Sequence, residues 1–240
     1  PVTLNQALSD SINTVAVQLA NEIGIEKIRA IAKDFGIRSS IGKGLAVALG
    51  SSEVNLLELT SAYAGFLSNG KKVNPIGWFD LKIRGEKAVL MTANRSEGMQ
   101  VIDQNASAAL LYMLKSVVEN GTGVRAKIPG WDLGGKTGTS QFMKDAWFIG
   151  FNTEYVCGTW MGYDDNTPLE GVTGGGLPAE LCSNIIEQLI NQNTPVALTY
   201  LTPDEFDQFA YANKNNNNRT EKNQNSRSII KALINTIFGN

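Results

Sequence analysis

Three strand-forming segments follow one another between Leu133 and Tyr163, and they limit the folds open to the chain more than any other feature. They run from Leu133 to Ser140, from Ala146 to Phe151 and from Tyr155 to Tyr163. The last two are joined across Asn152-Thr153-Glu154 and are apolar at adjacent as well as alternate positions. A strand with one wet face alternates apolar and polar residues, so strands without that alternation are covered on both faces. Helical spacing over Ala179 to Leu189 can supply one cover. The first segment holds the run Gly-Gly-Lys-Thr-Gly-Thr-Ser. A glycine weakens a strand interior, so Gly138 points to something that approaches the backbone closely.

Upstream the chain reads as helices with clear stops. Thr3-Leu4-Asn5-Gln6 has the form of a capping box. A second helix is expected from Asn13 to Ile23, with Gly24 as its C-terminal cap, and a third from Glu26 to Phe35, ending at Gly36. Residues 37–52 read as a Gly- and Ser-rich loop. A helix over Glu53 to Leu67 stops at Ser68-Asn69-Gly70, and Arg84-Gly85-Glu86 marks a hairpin between Phe79–Ile83 and Lys87–Leu90. Asp103 can cap a long helix that reaches Glu119 and ends at Asn120-Gly121-Thr122-Gly123. Its core stripe is Ala106, Leu110, Met113 or Leu114, and Val117.

Composition then removes whole classes of chemistry. The 240 residues contain no histidine, which excludes Ser-His-Asp and Cys-His mechanisms and His-ligated metals. The only cysteines, Cys157 and Cys182, lack metal-site spacing and read as two buried thiols rather than a disulfide. Acid–base work must fall to Lys, Asp, Glu or Tyr. With 21 basic and 23 acidic residues the net charge is −2, and no basic patch suggests a nucleic acid partner. No apolar run approaches the roughly 18 residues of a membrane span. The chain starts at Pro1 and reads as a fragment or processed product.

Two units are expected, residues 1–195 as the folded domain and 196–240 as a tail. Asparagine dominates Lys214 to Arg227, a run too polar to order itself. Beyond it Ile229, Ile230, Leu233, Ile234 and Ile237 form a short amphipathic helical stripe, read as docked on the domain or fraying rather than as a membrane anchor.

Two polar clusters remain. Ser11-Ile12-Asn13 lies between two helices, and Lys136-Thr137-Gly138-Thr139-Ser140 lies on a strand. An S-x-N triplet alone occurs by chance. Followed by K-T-G-T-S, it resembles the motif set of the serine penicillin-binding proteins. The runs SINTVAVQLANEIG, ALGSSEVNLLELTSAYAGFLSNG, DAWFIGF and GGGLPAE resemble the transpeptidase domains of the bifunctional, class A members, and the likeness extends from Pro1 to about Asn191.

That resemblance implies an α/β (α+β) fold of the beta-lactamase/transpeptidase type, an antiparallel sheet with helices on both faces. It implies a D,D-transpeptidase that opens a D-alanyl-D-alanine stem peptide of peptidoglycan through a serine acyl-enzyme, and that beta-lactams acylate. It also implies an upstream glycosyltransferase domain, no cofactor or metal, and a place on the periplasmic face of the inner membrane, held by an N-terminal anchor absent from these residues. Ser11 would relay a proton to the leaving amine, and Asn13 would hold the substrate amide. Lys136 would assist Ser11 and favour the substrate carboxylate. Thr137, Thr139 and Ser140 line the same binding strand, the two threonines bonding that carboxylate. Gly138 would let an extended peptide lie against the strand as one more, and the Thr139 N–H would be one oxyanion donor. By residue type alone, Ser11 and Asn13 could equally be helix caps, and Lys136 a strand lysine facing water.

The nucleophile's S-x-x-K motif departs from the family. Its three matches, Ser40 to Lys43, Ser68 to Lys71 and Ser228 to Lys231, all follow Ser11, in the wrong order. The true motif is expected before Pro1. The early part of the fold should then be missing, with its central helix absent and the strand Val156 to Gly162 carrying an unpaired edge. Three rivals stand beside the transpeptidase: a non-catalytic beta-lactam-binding sensor, a serine beta-lactamase, and an inert scaffold. The second ranks lower, because no E-x-x-L-N run offers a glutamate to activate water.

Overall fold

The computed structural model describes residues 2–94, 98–190, 193–202, 204, 205 and 208. The whole Asn-rich run from Lys214 to Arg227 and the Ile229 to Ile237 stripe lie outside the described residues.

The first half is helical: α1 (Leu4–Ser9), α2 (Asn13–Ile23), α3 (Ile25–Asp34) and α4 (Leu56–Leu67). Side-chain caps decide where several helices begin. Thr3 accepts the Gln6 N–H ahead of α1. Asn55 accepts the N–H groups of Leu57 and Glu58, so α4 starts at Leu56 and not at Glu53. A 3-10 turn at Leu45–Leu49 interrupts the loop expected over 37–52. The hairpin β1 (Asp80–Lys82) and β2 (Val89–Thr92) pairs Leu81 with Met91, and its turn holds Gly85 at φ 90°. Then α5 (Gln104–Glu119) starts where Asp103 accepts from Asn105 and Ala106.

The main sheet is antiparallel in the order β3 (Gly134–Thr139), β4 (Asp145–Phe151), β5 (Val156–Gly162). Helix α6 (Leu177–Ile190) follows, with Pro178 in its first turn, where no intrahelical N–H is needed. Successive strand residues face opposite ways. Phe148 is therefore buried with Ala179, Cys182 and Ile186 of α6, while Phe151 is buried with Leu111 and Leu114 of α5. Gly158, paired with Ile149, lies against Leu56 and Thr60 of α4, where a Cβ would collide. The sheet is thus covered by helices on both faces, as its unbroken apolar strands require. Among the described residues β5 pairs with β4 alone and β3 likewise, so each has a free edge.

The boundary expected after Pro195 falls inside a packed segment. Leu198 is 4% exposed and sits with Leu111, Leu114 and Phe151. Tyr200 packs on Tyr112, with ring centroids 5.7 Å apart. Lys115 anchors the segment: its ammonium lies 2.8 Å from Asp132, 3.3 Å from Glu119 and 3.3 Å from the Tyr200 hydroxyl. Burial alone would lower the Lys115 pKa, but the bonds to Asp132, Tyr200 and Glu119 outweigh it and hold the ammonium above the ordinary lysine value. The composition of 214–227 does not extend back to this stretch, whose Val196, Leu198, Tyr200 and Leu201 are apolar or aromatic.

Both cysteines are free thiols, but only Cys182 is fully buried, and Cys157 is partly exposed. They meet between β5 and α6, where the Cys182 thiol donates to the Cys157 carbonyl at 3.5 Å. A hydrogen bond from Cys182 lowers the Cys157 pKa, while the same bond and burial raise that of Cys182. Alkylation of the folded protein is therefore expected at Cys157 well before Cys182, because only Cys157 is partly exposed and the reactive thiolate is disfavoured at the buried Cys182. Peptide mapping after brief iodoacetamide treatment checks this; equal labelling would contradict the packing of α6.

Candidate active site

Helix α1 ends in a Schellman arrangement. The Ile12 N–H bonds the Ala7 carbonyl and the Ser11 N–H bonds that of Leu8. The left-handed position in such an ending is usually glycine, yet here it is Ser11, at φ 54°. A non-glycine residue in that region costs on the order of 1–3 kcal/mol, and such strain concentrates at functional sites. Nor does Ser11 cap a helix through its side chain: Ile12 is the N-cap of α2 and makes no side-chain cap bond. Asn13 is the first residue of α2, and among the described residues no hydrogen bond to its side-chain amide is found. The capping role that residue type alone allowed is therefore not what either residue does.

Lys136 lies 125 positions further on, and its ammonium donates to the Ser11 hydroxyl at 2.8 Å. It also donates to the Thr137 carbonyl at 3.1 Å. An ammonium has three donors, so one is left for a ligand. With Lys136 donating, Ser11 Oγ acts as acceptor and keeps its own proton to give away. Burial lowers the Lys136 pKa from 10.5 to about 8. This is not a strand lysine extended into water.

The free edge of β3 borders this pair. The Ser140 N–H donates to the Asp145 carbonyl at 2.9 Å, and bonded pairs alternate along an antiparallel ladder. In the observed register, Lys136 and Gly138 therefore bond to β4, while Thr137 and Thr139 turn their N–H and C=O groups to the free edge. Ser140 closes the β3–β4 turn, its hydroxyl accepting the Asp145 N–H at 2.8 Å. Thr139 Oγ1 accepts the Gly174 N–H at 3.0 Å. Gly174 comes against the Gly138 backbone, where a Cβ on Gly174 would collide with Gly138 and Trp147, whereas a Cβ on Gly138 itself would meet only the Trp147 side chain, at 3.2 Å.

A cavity of about 420 Å³ opens beside these groups. Ser11, Asn13, Lys136 and Thr137 form its polar wall, and the rest is apolar, including Leu4, Ala7, Val15, Leu19, Leu110 and Met113. Ser40 and Lys43 lie in a loop, and Ser68 is the C-cap of α4; neither pair lines the cavity. Ser228 and Lys231 lie outside the described residues. Among the described residues no cluster of acidic, cysteine or histidine side chains could hold a metal, and no helix is long and apolar enough to cross a membrane.

Sequence reading missed two contributors. Thr122, in the turn after α5, places its hydroxyl 2.8 Å from that of Thr137. The Gly174–Gly175 pair lies against Gly138 and Thr122. The available signal was a glycine on each side of Thr122, more than a helix stop requires.

An antiparallel sheet backed by helices on both faces has counterparts among solved penicillin-binding proteins. The penicillin-binding protein 1A of Haemophilus influenzae superposes with a TM-score of 0.75 over 85% of this chain and 36% of its own, at 24% identity. The PonA1 protein of Mycobacterium tuberculosis, solved with penicillin V, gives 0.72 over 84% of this chain and 59% of its own, at 22% identity. At such identity these likenesses establish the fold. Family membership comes from sequence: residues 1–186 match the penicillin binding protein transpeptidase domain, and the chain belongs to that family. Penicillin-binding protein 1A of Aquifex aeolicus is 37% identical over 163 residues, 68% of this chain and 22% of that protein. Penicillin-binding protein 2a of Streptococcus pneumoniae is 28% identical over 238 residues, 95% of this chain and 32% of that protein. The chain thus spans about a fifth to a third of the length of these relatives.

Proposed function

We propose that this chain is the C-terminal part of a serine D,D-transpeptidase domain that cross-links peptidoglycan, in a bifunctional penicillin-binding protein. The observation that carries the reading is the 2.8 Å contact between Lys136 and Ser11 beside the free edge of β3. A stem peptide ending in D-alanyl-D-alanine would add to that edge as an antiparallel strand, with its terminal carboxylate near Lys136, Thr137 and Thr139 and its amide near Asn13. The nucleophilic serine would come from an S-x-x-K helix that precedes Pro1 and fills the apolar cavity. Its oxygen would bond to the penultimate carbonyl carbon as the bond to the terminal D-alanine nitrogen breaks. Ser11 would pass the proton to that nitrogen, and the amine of a neighbouring strand would then take the acyl group. The Thr139 N–H would help to hold the oxyanion; losing such a donor typically costs about 10²–10³ in rate. Beta-lactams would acylate the same serine. An upstream glycosyltransferase domain and an N-terminal anchor at the periplasmic face belong to the same reading.

Mass spectrometry after incubation with a labelled penicillin tests it. The full-length protein should carry one acyl group on a serine before Pro1, and residues 1–240 alone should carry none, because acylation needs an activated serine beside a base. An adduct on Ser40, Ser68 or Ser228 would overturn the upstream nucleophile. A full-length protein that remains unlabelled would overturn the serine mechanism.

A further inference from the structure

We infer that Thr122 is a positioning residue for the ligand's carboxylate, acting through the hydroxyl of Thr137. The inference rests on the transpeptidase reading and adds to it a residue outside the K-T-G-T-S run.

Thr122 is held from three sides. Its N–H donates to the Ser9 carbonyl at 3.1 Å, two residues before Ser11. Gly121 lies so close to Ser9 that a side chain there would meet the Ser9 backbone, and Gly175 lies equally close to the Thr122 carbonyl. So fixed, the Thr122 hydroxyl sits 2.8 Å from Thr137 Oγ1, and either oxygen could donate. Gly175 also faces the Thr137 methyl: a Cβ there would stand 3.5 Å from it.

Each hydroxyl has one proton to donate and two lone pairs. In a pair, one proton is used between the two oxygens and the other is free. An anion at the edge of β3 decides the order: Thr122 donates to Thr137, and the Thr137 proton turns to the anion. A hydroxyl that already accepts a bond is a better donor, and the direction of its proton is no longer averaged over rotor states. Thr122 is itself exposed, so its hydroxyl is not there to satisfy a buried group. It serves the geometry of its neighbour.

The test compares the full-length parent with Thr122→Val and Thr122→Ser. The readouts are the second-order acylation rate constant for a penicillin with a free carboxylate, the same constant for its methyl ester, and the unfolding midpoint. Thr122→Val should slow acylation by the free acid about 5–10-fold, the worth of one hydrogen bond. It should leave the ester rate and the unfolding midpoint nearly unchanged, and Thr122→Ser should restore the acid rate. An equal loss for acid and ester, or no loss for either, would overturn the role of Thr122 while leaving the transpeptidase reading intact. A parent that neither compound acylates would overturn that reading, and this inference with it.

Discussion

Replacing Ser11 by alanine in the full-length protein is expected to lower turnover by about 10²–10⁴-fold and to change substrate affinity little, the usual size of a lost general acid–base contribution. The expectation follows from the direction of one hydrogen bond. Lys136 donates to Ser11, so the serine oxygen is an acceptor in the resting site and its proton can leave toward the substrate nitrogen. That transfer matters in the transition state and hardly at all in the bound ground state, which separates kcat from KM. Ser11→Gly should lose the same activity and be at least as stable as Ser11→Ala, because glycine carries no Cβ penalty at φ 54°. Steady-state kinetics and thermal unfolding of the two variants check both halves. A loss confined to KM would make Ser11 a binding contact and remove it from the proton path.

What could be read before the structure was local. Thr3 and Asp103 announce helix starts because a cap acts over three residues, and all three strands fall where the sequence places them, within one residue at every end. The Lys136–Ser11 contact joins positions 125 apart, and it was legible only because two short motifs fix both ends. Where one end carried no motif, the contact stayed hidden. Thr122 read as part of a helix stop, since nothing in Asn120-Gly121-Thr122-Gly123 names Ser9, Thr137 or Gly175 as neighbours. Gly138 reads as a site of close approach, but nothing in the sequence ties it to Gly174, which lies 36 residues away in the GGGLPAE run and meets the Gly138 backbone only in the fold. Residues 198–201 read as part of a tail because the Asn-rich run from Lys214 to Arg227 colours the whole C-terminus. Their docking depends on Lys115 and Asp132, a pair that only the fold brings together. The left-handed backbone of Ser11 had no sequence signal, for serine gives no hint of positive φ as glycine does.

Lys136→Ala is expected to slow acylation by a carboxylate-bearing beta-lactam by about 10–100-fold, since a hydrogen bond to a charged group is worth roughly 1.5–3 kcal/mol. The pH dependence gives a sharper test. Burial brings the Lys136 pKa down to about 8, so the ammonium that attracts a carboxylate is present below that pH and is lost as the pH rises through it. Acylation by the free acid should decline above an inflection near pH 8, whereas that of the methyl ester should not share the decline. Lys136→Arg should abolish the inflection, because a guanidinium stays charged throughout the range. Folding carries the opposite sign. An unfolded lysine holds its proton to about pH 10.5, so between about 8 and 10.5 the unfolded chain binds more protons than the folded one, and Lys136 makes the protein more stable as the pH rises. Ligand capture and stability should therefore move in opposite directions over that window. If acylation and unfolding were both insensitive to pH there in the parent, or if Lys136→Ala kept the parent's profile in either, Lys136 would not be the charge that receives the substrate.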